Sequence, residues 1–93
     1  MDDVELTLVE QINDDTEEKT EVYATLESIA QSEYVAAGKK DIKPAFKFIL
    51  WSFDYNGQTE ALYNDARLSV YRTYKRPDDK VELYTEERGG RQW

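Results

Sequence analysis

The chain has 93 residues, no cysteine, no histidine and a formal net charge of −8. That length admits one domain with a modest core. The composition excludes disulfides, thiolate metal sites and imidazole chemistry, and the acidic balance disfavours a protein that grips phosphates.

The charge is unevenly placed. Residues 1–33 hold eleven acids against Lys19 alone, while the remainder holds eleven bases against nine acids. The opening MDDVEL is acidic and has no apolar h-region, so no signal peptide is expected. No apolar run approaches a membrane span, and the expectation is a soluble protein, cytoplasmic at synthesis.

A first strand is predicted at about 3–12, with Val4, Leu6 and Leu8 alternating with Glu5, Thr7 and Val9. Asn13 to Thr20 is acidic and rich in turn formers, which predicts a hairpin loop. A second strand follows from Glu21 to Ile29, with Val22, Ala24 and Leu26 inward. The period then changes. Ser28 and Gln31 have the spacing of a capping box, and Gly38 supplies a C′ stop for a short helix. Tyr34 and Ala37, near Ala30 on one helical face, are expected to dock it on the sheet. Lys39, Lys40, Lys43 and Lys47 then surround Asp41, and Pro44 delays regular pairing.

The stretch Phe46 to Tyr74 holds the longest apolar run. Phe46, Phe48 and Leu50 share one face of an extended chain, and Ile49, Trp51 and Phe53 the other, which predicts a strand covered on both sides. Asn56-Gly57 suits a type I′ turn, so a two-residue hairpin is expected between Trp51–Tyr55 and Gln58–Tyr63. Asn64-Asp65 turns the chain again into a strand over 67–76, with Leu68, Val70, Arg72 and Tyr74 on one face. These pieces predict a three-stranded meander. Pro77-Asp78-Asp79 is a further turn, and Val81, Leu83 and Thr85 alternate with Glu82, Tyr84 and Glu86 in a last strand. The tail at 89–93 is expected to be loose. The fold class is therefore mainly β: a small antiparallel six-stranded barrel or sandwich, one domain over 1–93, with one short helix between strands 2 and 3.

No phosphate loop, nucleophile elbow or metal-ligand spacing occurs. Asp14/Asp15 and Asp78/Asp79 sit in turns, where carboxylates cap amides, and nothing apolar flanks them to raise a pKa. Tyr71, Arg72, Tyr74, Lys75 and Arg76 interleave aromatics and bases as single-strand binders do, but tyrosine also fills half-buried strand positions well. No catalysis, cofactor or metal is expected.

LTLVEQ, then VYATLESIAQSEYVAAG, a lysine-rich stretch and FDYNGQTEALYNDARLSVYRTYKRPDDKVELYTEERGG together resemble the head-closure, or head–tail joining, proteins of long-tailed bacteriophages and prophages. These include the stopper proteins of siphophages. The likeness runs from Val4 to Gly90 and rests on the order of Ser32-Glu33, Ala37-Gly38, Asp54-Tyr55-Asn56-Gly57, Tyr71-Arg72-Thr73-Tyr74 and Glu82-Leu83-Tyr84. Members often carry a base just before the Thr-Leu of the first strand, where this chain has Glu5. The resemblance implies a small barrel in the virion neck: a ring, a dodecamer in the family, below the portal and adaptor. Such a ring retains packaged DNA, lets it pass without specific binding and docks a tail-completion or tail-terminator protein. It would be assembled in the host cytoplasm; the small core and the polar loops at 13–20 and 38–44, which can order on binding, predict a monomer when isolated. The alternative reading is a small β-barrel module that binds nucleic acid or peptide.

A conduit must not hold DNA, and carboxylates repel phosphates over about 8–10 Å in physiological salt. Asp14, Asp15, Glu17 and Glu18 are therefore the candidate channel-facing residues. Lys39, Lys40 and Lys43 are the candidate contacts to an acidic neighbour.

Overall fold

A computed structural model describes residues 2–87, and the tail expected to be loose at 89–93 lies outside them. Six strands and one helix follow in order: β1 Asp2–Asn13, β2 Thr16–Glu27, α1 Gln31–Gly38, β3 Pro44–Trp51, β4 Glu60–Tyr63, β5 Ala66–Lys75 and β6 Lys80–Glu87. All pairings are antiparallel, and the strands close a barrel in the order β1-β2-β3-β6-β5-β4. The mainly β fold with its helix between strands 2 and 3 is as the alternation predicts.

The inward faces are those that the period-2 pattern marks. Leu6, Leu8, Phe48, Leu68 and Leu83 are each at most 1% exposed. Burying such side chains stabilises by about 1.5–3 kcal/mol apiece. Val22, Ala24, Leu50, Ala61 and Val81 complete the buried cluster, with Phe46 and Tyr63 packed against it. Thr85 also points inward, and its hydroxyl donates to the Phe46 carbonyl at 3.0 Å.

The connectivity differs from the expected meander. β3 pairs with β2 and β6, while β4 pairs with β5 and β1. No hairpin forms at Asn56-Gly57. Ser52–Asp54 is a 3-10 turn, and the chain crosses through 55–59 without pairing to β3. A type I′ turn needs positive φ at both central residues. Gly57 has φ 82°, but Asn56 is not in that region. The Gln58 side chain instead accepts the Asn56 N–H at 2.8 Å, and Tyr55 Oη donates to the Gln58 carbonyl at 2.7 Å. The paired positive φ appears at Asn64 and Asp65, 51° and 67°, which close the β4–β5 hairpin. A strand apolar on both faces belongs in the middle of a sheet. β6, aligned with β3 from Pro44 to Trp51, serves it better than the four residues of β4.

Three local expectations also change. Asn13–Thr20 is a tight hairpin rather than a loop: Asn13 pairs with Thr16, and the Asn13 side chain accepts the Asp15 N–H at 2.9 Å. Glu17 and Glu18 therefore lie on β2, and only Asp14 and Asp15 form the turn. The helix begins after Ala30 without a side-chain cap, so Ser28 caps nothing. Its stop is at Asp41 (φ 61°), where Asp41 N donates to Gly38 O and Ile42 N to Ala37 O, the two bonds of a Schellman ending. Finally, a bulge between Val70 and Arg72 breaks the alternation of β5. Arg72, expected on the Leu68 face, lies outside over the Tyr84 ring.

Candidate functional site

The first candidate is the acidic arm. β1 and β2 pair along their whole lengths. β1 meets β4 only at Thr7–Val9, and β2 meets β3 only at Thr25–Glu27. Beyond those contacts the two strands form a ribbon in which every residue from Glu10 to Glu21 is exposed. Asp14 and Asp15 turn its end and Glu18 lies beside them, so three of the expected acids are grouped there. Glu17 is engaged elsewhere. The Arg67 guanidinium binds it and Glu60 together, tying the arm to β4 and β5. Arg67 is the only base between Lys47 and Arg72, a signal that the sequence carried unread.

The lysines Lys39, Lys40 and Lys43 are all exposed on the segment between α1 and β3. That segment enters the barrel beside the end of β2, where Glu27 pairs with Lys47. Thr16, at the arm's turn, is eleven residues up β2, about 36 Å at 3.3 Å per residue measured along the strand. The two candidate sets are thus held apart and form no joint site within one chain. Lys47, counted with the cluster in the sequence, belongs to β3 and pairs with Glu27 at 3.4 Å and Glu82 at 3.7 Å.

Between α1 and β5 lies a cleft of about 540 Å³ lined by Ser32, Glu33, Ala37, Lys40, Tyr71 and Arg72. Its centre is an ion-paired clip. Tyr71 Oη donates to Glu33 at 2.8 Å, and Arg72 donates to the same carboxylate at 2.6 and 3.3 Å. The Arg72 bonds, aided by Tyr71 against the cost of burial, hold the Glu33 carboxyl below its usual pKa range. Burial first, and then the bond to Glu33 and its charge, push the Tyr71 hydroxyl pKa up. This clip, not Tyr34, docks the helix: Tyr34 is 45% exposed, whereas Glu33 and Ala37, four apart on one face, turn inward. The barrel wall here presents Tyr71 and Arg72, so a carboxylate fits it better than a ring. Arg72 is thereby neutralised. Arg76 is likewise engaged, with Asp78 at 3.1 Å and Glu82 at 3.7 Å. The interleaved run on β5 is therefore a poor platform for nucleic acid.

A last surface was not read from the sequence. Trp51 and Phe53, expected to be covered, are 45% and 76% exposed and stack on each other, ring centroids 5.6 Å apart. Lys80 Nζ sits 4.9 Å from the centre of the Trp51 ring. Trp51 ends β3 opposite Lys80 of β6, and the 3-10 turn that begins at Ser52 carries Phe53 out of the sheet beside it.

Among the described residues, no group of acids is placed to hold a metal ion, and no helix is long and apolar enough to cross a membrane. Comparison with protein-family models, with curated proteins and with solved structures gives no match.

Proposed function

We propose that this chain is a structural protein of a phage neck, a ring member below the portal and adaptor that helps retain packaged DNA and docks the tail. The observation that carries the proposal is a closed barrel bearing an exposed acidic arm, with an exposed lysine loop about 36 Å away along β2. The sequence resemblance to head-closure proteins adds to it. In this reading Asp14, Asp15 and Glu18 face the DNA conduit or its rim and repel phosphates. Lys39, Lys40 and Lys43 meet an acidic surface on the adaptor or on the next copy. The reading assigns the chain no catalysis and no cofactor, and places it in the virion neck after assembly in the bacterial cytoplasm. The alternative of a nucleic-acid module is weakened by the engagement of Arg72 and Arg76 with carboxylates.

The test is the particle. The protein should copurify with tailed capsids at the level of the neck. Reversing Asp14, Asp15 and Glu18 to Lys should leave incorporation intact and slow DNA release, with the delay relieved by salt. Glu17 is kept, because its reversal would set a cation against Arg67. Absence from particles, or unchanged release from particles that contain the variant, would defeat the proposal.

A further inference from the structure

β2 has an open edge. Its residues Thr16 to Ala24 pair with β1 on one side and with no described strand on the other. In an antiparallel ladder every second residue then turns its N–H and C=O outward, which makes a template for another extended segment. β3 leaves this edge after Ile49, its last partner on β2. A groove of about 500 Å³ opens where they part, lined by Asp3, Glu21, Tyr23, Trp51, Asp54 and Lys80. Its lining therefore carries three acids against one base, and Phe53 and Tyr23 stand exposed beside it.

The edge is guarded against its own kind. Two β2 strands laid antiparallel about Lys19 would bring Glu17 of each copy opposite Glu21 of the other and the two lysines opposite each other. An occupant must instead be basic, extended and aromatic. Arg88-Gly89-Gly90-Arg91-Gln92-Trp93 has that chemistry. Bound as an added strand, such a segment would present Arg91 and Trp93, two residues apart in the sequence, on one face.

We infer that residues 91–93 of one copy dock along the β2 edge of the next. Trp93 packs on the Trp51–Phe53 stack, and Arg91 meets Glu21 and Asp54. The donor is a second copy for reasons of reach. Lys80 lies seven residues up β6 from Glu87, about 23 Å, and six extended residues span about 20 Å. At full stretch the Trp93 indole of the same chain only just meets the rings, and Arg91, four residues beyond Glu87 or about 13 Å of extended backbone, then stays short of Glu21 and Asp54. The contact is heterologous, one surface on each copy, so repetition closes a ring when the rotation allows. That consequence rests on the neck reading; the docking does not. So short a segment binds weakly when free, and gains effective concentration once copies are aligned on an adaptor. An isolated monomer and a ring in the particle are then compatible.

The probe is a synthetic peptide of residues 88–93, titrated into the isotope-labelled full-length chain and followed by amide and indole NMR. Saturable shifts are expected at Thr20–Thr25 and at the Trp51 indole. Peptide Trp93→Ala, or protein Asp54→Lys, should weaken binding about tenfold. No shifts at millimolar peptide would overturn the inference, as would shifts confined to α1 and the lysine loop. Concentration-independent groove shifts on changing Trp93→Ala in the full chain, without competition by peptide, would mean docking within one chain and would also overturn it. Peptide binding by a protein absent from particles would retain the docking and remove the neck reading. Incorporation without peptide binding would do the reverse.

Discussion

Replacing Glu33 by Gln keeps the size of the side chain and removes its charge. The carboxylate accepts three bonds in the native fold, one from Tyr71 and two from Arg72, and is 11% exposed while Arg72 is 44% exposed. A buried hydrogen bond to a charged group contributes about 1.5–3 kcal/mol, and an exposed ion pair about 0.2–1 kcal/mol. The half-exposed guanidinium places the clip between them, at about 1–2 kcal/mol. For a domain of this size that is a fall in Tm of about 4–16 °C at pH 7. The pH dependence identifies the cause. The folded-state pKa of Glu33 is depressed, so its contribution is full above the unfolded-state pKa and is lost as pH falls through the folded value. The gap between wild type and Glu33→Gln should therefore shrink in acid, from the ordinary glutamate range downward. Thermal unfolding followed by circular dichroism across that range measures it. Equal Tm values at pH 7, or a gap that persists undiminished in strong acid, would refute the clip.

Two glycines should respond to alanine with opposite signs. Gly57→Ala should cost about 1 kcal/mol, since φ 82° strains an alanine although no atom lies within 4 Å of the added Cβ. Gly38→Ala should stabilise by about 0.5–1 kcal/mol, because Gly38 is helical and its surroundings are open; urea unfolding reads both. Phe48→Ala, at a position with no exposure, should cost about 3–5 kcal/mol and broaden or abolish cooperative unfolding. The isolated chain should sediment as a monomer at micromolar concentration, and a stable ring without partners would contradict assembly on an adaptor.

Period-2 alternation was enough to place the core. Leu6 and Leu8, Val22 and Ala24, Phe48 and Leu50, and Val81 and Leu83 point inward because the pleat leaves no other choice once those side chains must avoid water. The Asn64-Asp65 turn and the helix between strands 2 and 3 were equally legible, since both depend on a few adjacent residues. The two proposed charged sets could be named from the sequence, but not their separation. What the chain could not state locally was which strand β3 would choose. Asn56-Gly57 offered a hairpin worth the pairing of a short strand. β6, thirty residues on, offered a longer ladder and closure of the barrel. Only the three-dimensional competition decides between them, because the benefit of a non-local ladder appears after the loop-closure entropy has been met. The same decision exposes Trp51 and Phe53, frees the edge of β2, and sets Glu33 against Tyr71 and Arg72, nearly forty residues away along the chain.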